Sequence, residues 1–320
     1  MRKYSIIIAS YNDAKNLADC LESLRATDCP REDFETIVVD NNSTDNTRDV
    51  VSRYPEVIYL TEDKNGRSFA RNKGIRHAKG DILVFLDSDG RVTDGWLRRI
   101  TEPFSDRGVG AVGGAIFPFE EGNLISQYLA VSLFLTYPRY GRKRYVRGYP
   151  SCNLAVRKRL VPQGFDTAVF NAYGGEDKDL CYQVLGLGYK IVFQPDAIIY
   201  HRHPTTLRGL VKSLIESSRG RGDFAKKYPF APDVFLLNIH FPLLYGFVLI
   251  VSVFFRKSYV FILSLLPGLV YFLLNSIVSY KRSKRFGLSF FIKPVLDLIS
   301  ICAVYPSYHY FRTFGRQGRL

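Results

Sequence analysis

The sequence predicts an α/β fold: a mostly parallel sheet flanked by helices, followed by an α-helical transmembrane region. Three observations carry this. Apolar, β-branched runs alternate with segments of helical period over the first ~90 residues. One of those runs, residues 82–86, has five apolar residues in a row, the pattern of a strand buried on both faces. Beyond residue 232 charged residues thin out, and two apolar runs appear at 234–255 and 259–280. Each is near the ~20 residues that span a bilayer.

In chain order, residues 4–9 form the first strand, and Ser10-Tyr11-Asn12-Asp13 the loop after it. Leu17, Ala18, Leu21 and Leu24 give 14–24 a helical period. A second strand, 34–39, ends at Asp40, and Asn41 to Asp45 carry turn and capping chemistry. A helix over 46–54, a strand at 57–60 and a helix over 68–78 lead to the strand at 82–86. That strand stops at Asp87-Ser88-Asp89-Gly90. In an open parallel sheet, ligands bind beyond the carboxyl ends of the strands. Carboxylates spaced i, i+2 on a turn there reach one hard cation, which usually also carries substrate phosphates. The bland reading of Asp87 and Asp89 is an acidic turn, and that of Asp40 an Asx turn.

Residues 109–117 read as a further strand, and 122–137 as a long apolar helix, either core or lying in a membrane interface. Arg139, Arg142, Lys143, Arg144 and Arg147 follow as a basic run. Strands are expected at 189–193 and 197–200, ending at His201. An amphipathic helix is expected over 205–228. No Gly-x-Gly-x-x-Gly follows the first strand and there is no Gly-Lys-Ser/Thr loop, which argues against a dinucleotide dehydrogenase and a P-loop enzyme. The formal charge of +14 invites a nucleic-acid or membrane partner. Its basic residues cluster beside apolar segments rather than on aromatic stacking platforms, so membrane lipids are expected and nucleic acid is not. Cys20, Cys29, Cys152, Cys181 and Cys302 are odd in number and scattered, with no metal spacing and no disulfide framework.

Four blocks make a more specific statement: Ser5-Ile-Ile-Ile-Ala-Ser-Tyr-Asn12, Val38-Val-Asp-Asn-Asn-Ser-Thr-Asp45, Asn65-Gly-Arg-Ser-Phe-Ala-Arg-Asn-Lys-Gly74 and Phe85-Leu-Asp-Ser-Asp89. In order and spacing they resemble the family 2 inverting glycosyltransferases of GT-A fold, over roughly residues 4–205. The resemblance implies that Ala9, Tyr11, Asp40, Arg71, Asp87 and Ser88 bind a nucleotide-sugar donor. It implies Asp89 as a ligand of a divalent metal, Mg or Mn. His201 is a further metal or diphosphate contact by the same likeness, or a plain surface residue. Gly174-Gly-Glu-Asp-Lys-Asp-Leu180 is similar to the family's acceptor-side motif, in which a carboxylate faces the acceptor hydroxyl. Inversion needs one base to take that hydroxyl's proton as the diphosphate departs on the other face. Asp177 is the expected base and Glu176 the second candidate; the bland reading is that both favour the positive end of a helix dipole. The Gln-x-x-Arg-Trp motif of processive synthases is absent. Arg219 and Arg221 substitute by covering the diphosphate or mark the membrane surface.

The expected organisation is a catalytic domain at 1–205, an interface helix and linker at 206–231, membrane helices at 232–311 and a basic tail at 312–320. The expected activity is transfer of one sugar to a lipid-linked glycan, with the catalytic domain cytoplasmic and the chain multi-pass in the cell membrane. A polyprenyl-phosphate sugar synthase and a non-catalytic nucleotide-sugar-binding membrane protein are the alternatives. Lys281, Arg282, Lys284 and Arg285 follow the second apolar run, as the positive-inside rule requires after two spans. A third span over 288–311 puts Arg312, Arg316 and Arg319 outside, against that rule. That segment contains Lys293, Pro294, Asp297 and Pro306, so it spans, re-enters or lies in the interface.

Overall fold

The computed structural model describes residues 3–119, 123–131, 142–170, 174–229, 231, 296 and 299. The chain forms two compact units: Met1–Glu121 with Tyr137–His203, and Gly122–Thr136 with Pro204–Leu320.

In the first unit, β1 (Tyr4–Ser10), α1 (Ala14–Arg25), β2 (Phe34–Asp40), α2 (Thr47–Val51), β3 (Val57–Thr61), α3 (Arg67–His77) and β4 (Ile82–Asp87) follow the alternation read from the sequence. β1 pairs parallel with both β2 and β4, and β2 with β3. Ile6, Ile7 and Ile8 of β1 and Leu83, Val84 and Phe85 of β4 are almost wholly buried, as continuous apolar strands covered on both faces must be. Leu17, Cys20, Leu21 and Leu24 of α1 supply part of that cover.

The rest of the unit departs from a mostly parallel sheet. β5 (Gly90–Val92), α4 (Trp96–Thr101) and β6 (Val109–Pro118) come next in the chain. In the second unit α5 (Leu124–Val131) follows, and then in the first unit β7 (Arg144–Val146), β8 (Asn153–Arg157), α6 (Glu176–Gly186) and β9 (Lys190–His201). The strand order is β3-β2-β1-β4-β8-β6-β9-β5, with β7 on β9. β8 is antiparallel to β4 and β6, and β5 and β7 are antiparallel to β9. The sheet is therefore mixed. The two expected closing strands are one strand, β9, whose parallel register with β6 slips between Gly114 and Ile116. Pro195 in that stretch has no backbone N–H to give a ladder.

A buried amide ties this half together. Trp96 Nε1 donates to Asn153 Oδ1 at 2.9 Å, and Asn153 Nδ2 donates to the carbonyls of Ala115 and Ala197 at 3.0 Å each. The glycines of β6 permit the close approach: a Cβ on Gly113 would lie 2.2 Å from the Tyr149 ring, and one on Gly114 2.2 Å from the Ala197 carbonyl oxygen.

In the second unit α7 (Leu207–Lys227) begins at Thr206, whose hydroxyl accepts from the Gly209 N–H at 3.1 Å, an N-cap. Leu210 and Leu214 lie one turn apart and pack with Tyr128, Leu129 and Leu296. The described part of the 122–137 segment is thus a helix with Tyr128 and Leu129 buried in this cluster. Among the described residues no helix is long and apolar enough to cross a membrane. The expected spans at 234–255 and 259–280 and the tail at 312–320 lie outside the described residues, as does 288–311 apart from Leu296 and Ile299.

Candidate active site

The site begins with strand register. Ala9 of β1 lies opposite Asp87 of β4, and Ser10 opposite Asp40 of β2, so three neighbouring parallel strands end together. Asp40 is buried and both its oxygens are engaged: Oδ1 accepts from the Ser43 N–H at 2.9 Å and Oδ2 from the Tyr59 hydroxyl at 2.7 Å. The Asx-type turn is therefore real, and it fixes this carboxylate at the strand end. Tyr11 stands in the loop after β1 with 60% of its surface exposed. Asn12 closes that loop onto the next one, accepting at Oδ1 from the Thr44 N–H at 2.7 Å. Ser88 donates to Asp13 Oδ2 at 2.7 Å.

β5 turns back immediately after Asp89 and pairs with the end of β9, with Gly90 opposite His201. That pairing brings His201 Nε2 to 3.2 Å from Asp89 Oδ1 and 3.5 Å from Asp87 Oδ2. His201 is buried, so the bland expectation of a surface histidine does not hold. Burial by itself would lower the imidazole pKa, but Asp89 and then Asp87 outweigh it and raise it to about 9. Burial pushes Asp89 up to about 6, with Asp87 and Asp13 adding to the effect against His201. Asp87 goes the other way: against burial, the Arg71 guanidinium and then His201 hold it below the usual carboxylate range. The donor set fits a divalent ion. Two carboxylates and one imidazole suit Mg or Mn, and a cation there relieves the buried charge of Asp89. Cys152, just before β8, offers a sulfur to the same place, since ligand atoms of Asp87, Cys152 and His201 all lie within 4.8 Å of one another. Burial, then Asp87, Asp177 and Asp89, keep its thiol pKa well above the usual value.

The second half of the site is built by arginines. Arg67 and Arg71 lie one turn apart on α3 and share its face. Arg71 is buried and donates to Asp87 Oδ1 at 2.8 Å. Its other terminal nitrogen lies 3.4 Å from Glu176 Oε1 and 3.7 Å from Asp177 Oδ1. Arg67 Nε lies 2.9 Å from Glu176 Oε1. The Gly174-Gly175 pair makes the entry to α6, with φ of 88° and 86°, where other residues are strained. Glu176 and Asp177 then open the helix, where its dipole favours negative charge. The two carboxylates differ. Glu176 is fully buried and paired with both arginines, and burial raises its pKa. The Asp177 side chain keeps 27% of its surface exposed. Asn72 ties the preceding loop to α3, exchanging two hydrogen bonds of 2.8 Å with the Phe165 backbone.

The structure thus gathers Asp87, Asp89, His201, Arg71, Glu176 and Asp177, and places Ala9 and Asp40 at the adjoining strand ends. Arg219 and Arg221 lie on α7 of the second unit, where burial lowers Arg221 to about 10. Sequence reasoning missed Arg67 and Cys152. The i, i+4 spacing of Arg67 and Arg71 signals the first. A lone cysteine gives no signal for the second.

Comparison with known proteins shows what this sequence and fold are similar to. Residues 5–162 match the family described as Glycosyl transferase family 2. Glycosyltransferase AglE of Haloferax volcanii is 30% identical over 205 residues, 62% of this chain and 66% of that protein. The pre-mycofactocin glycosyltransferase of Mycobacterium tuberculosis is 29% identical over 220 residues, 65% of this chain and 44% of that one. The chain therefore spans less than two thirds of the length of these relatives. The dolichyl N-acetyl-alpha-D-glucosaminyl phosphate 3-beta-D-2,3-diacetamido-2,3-dideoxy-beta-D-glucuronosyltransferase of Methanococcus voltae is 23% identical over 283 residues, 79% of this chain and 86% of that one. Among solved structures, the mannosyltransferase PcManGT from Pyrobaculum calidifontis, in complex with GDP-Man and Mn2+, superposes with a TM-score of 0.63 at 18% identity, covering 99% of this chain and 89% of that one. GalNAc-T7 with UDP, GalNAc and Mn2+ gives 0.52 at 17%, covering 67% and 48%. Over residues 5–162 this chain is therefore similar in sequence to the family 2 glycosyltransferases, and its fold resembles that of solved glycosyltransferases.

Proposed function

We propose that the chain is a membrane-anchored inverting glycosyltransferase, moving a single sugar from a nucleotide-sugar donor to a lipid-linked glycan. The observation that carries this is the reach of Arg71, 2.8 Å to Asp87 and 3.7 Å to Asp177. One guanidinium joins the carboxylate at a nucleotide-type strand end to the carboxylate that opens α6. Donor and acceptor halves of a transfer site are thereby held at one spacing.

Asp177 is the general base. Its partial exposure leaves it open to an incoming hydroxyl, whereas Glu176 is enclosed by Arg67 and Arg71. Asp177 takes the acceptor hydroxyl's proton as that oxygen bonds to the anomeric carbon. The bond from that carbon to the leaving diphosphate oxygen breaks on the opposite face, which inverts the centre. Glu176 is a positioning residue that fixes both arginines. Tyr11 offers an exposed ring to the base, and Ala9, Asp40 and Ser88 line the nucleoside side. Asp89, His201 and Asp87 would hold Mg or Mn, whose chemistry there is to neutralise charge gathering on the diphosphate.

The acceptor reading rests on the apolar runs at 234–255 and 259–280, with membrane location and a cytoplasmic catalytic domain following from them. The likeness to the Methanococcus voltae enzyme, whose name states a dolichyl-linked acceptor, supports it. Membranes carrying the full chain, supplied with labelled nucleotide sugars and Mg or Mn, are expected to label a lipid-linked saccharide. Label appearing on plain polyprenyl phosphate instead would overturn the acceptor assignment. Unchanged transfer in both Asp89→Ala and Asp177→Ala would overturn the catalytic reading in favour of a binding protein.

A further inference from the structure

Cys152 stands out because the proposed chemistry gives it nothing to do. It is buried at 4% exposure, immediately before β8, and its neighbour Asn153 is locked in the Trp96, Ala115 and Ala197 network. The backbone that carries the sulfur is therefore held firmly. Its Sγ and single ligand atoms of Asp87 and His201 lie within 4.8 Å of one another. Small side-chain movements bring three such atoms onto one ion at the usual 2.0–2.3 Å bond lengths of zinc, about 2.3 Å for sulfur and about 2.0 Å for nitrogen and oxygen.

We infer that Asp87, Cys152 and His201 form a second, thiolate-containing metal site, selective for Zn2+ and similar borderline ions, which overlaps the site proposed for Mg or Mn. This rests on the metal reading above and adds to it. Hard ions take oxygen ligands and leave a thiol protonated, so Mg and Mn use the Asp89 side. Zinc accepts sulfur, nitrogen and oxygen together. On binding, the Cys152 S–H bond breaks, its proton goes to solvent, and a sulfur–metal bond forms; no oxidant or reductant is needed. Because Asp87 and His201 are shared, occupation by zinc draws them from Asp89 and excludes the hard ion. Zinc is then an inhibitor that a larger excess of Mn2+ displaces slowly.

The test uses the full chain in detergent, stripped with chelator, and reads metal directly. Co2+ is added as a spectroscopic substitute for zinc, and Mn2+ binding is followed by loss of the free-ion resonance signal. The expected result is a sulfur-to-cobalt charge-transfer band in the near ultraviolet, abolished by Cys152→Ser and retained by Cys20→Ser. Cys152→Ser is expected to keep Mn2+ binding, which reports that it is folded, and to lose Zn2+ preference over Mn2+ by about tenfold or more. Co2+ binding without a sulfur band, or a band that survives in Cys152→Ser, overturns the inference. Mn2+ binding with no cobalt band leaves the active-site metal reading standing and this one refuted. A cobalt band without Mn2+ binding refutes the active-site metal reading and, with it, the overlap inferred here. Binding of neither ion refutes both.

Discussion

At the scale of single residues, the site is an arrangement of buried charges that need one another. Arg71 is the buried partner shared by Asp87 and the fully buried Glu176, so removing it leaves Asp87 with His201 alone and Glu176 with Arg67 alone. Arg71→Met is predicted to lower stability by about 3 kcal/mol, read as a shift in denaturation midpoint. Arg67→Met is predicted to do less, because Glu176 keeps Arg71. An equal effect of the two would show that Arg71 is not the central pair. His201 gives a prediction with a sign. Its folded pKa, about 9, lies above the ordinary 6.5. The stabilisation is therefore complete below about pH 6.5 and is lost as pH rises through about 9. In chelator-treated protein the melting temperature is predicted to fall across that window, and to fall less in His201→Asn. Identical profiles would remove His201 from the ion-paired cluster.

At the scale of elements, what positions these residues is packing that the sequence only half discloses. β6 runs against Tyr149 with no room for a side chain at Gly113. Gly113→Ala is predicted to destabilise by about 1–3 kcal/mol through overpacking, whereas Gly186→Ala, in open space on α6, is not. Trp96→Phe leaves Asn153 Oδ1 buried without its donor and is predicted to lose about 1–3 kcal/mol. Both are read by thermal or chemical denaturation; wild-type stability in either would contradict the packing account. β1 to β4 were legible because each carries at least three consecutive apolar residues and they alternate with segments of helical period. β5 and β7, at three residues each, are too short for any period to show. β8 is apolar enough, but its antiparallel place between β4 and β6 is a long-range pairing that composition does not encode. The same limit applies to the site. Asp87, Asp89 and Asp177 were readable as strand-end and helix-start acids. That β5 would carry Asp89 to His201, or that Arg71 would span both halves, depends on topology.

At the scale of the whole molecule, one unit holds the carboxylates and the other begins with α5 and α7 packed on a small apolar cluster. The proposed function puts the apolar runs after residue 232 in the membrane. The full chain is predicted to stay with the membrane fraction through an alkaline carbonate wash and to leave it only in detergent; release by the wash would contradict the anchoring. The central claim, that Asp177 is the base of an inverting sugar transfer, is tested most directly by comparing wild type with Asp177→Asn. Transfer from a nucleotide sugar to a lipid-linked saccharide and donor binding are measured on the same preparations. The account predicts an inverted linkage in the wild-type product. In the variant it predicts a rate about 10²–10⁴-fold lower with unchanged donor affinity. Transfer by Asp177→Asn at the wild-type rate would contradict it.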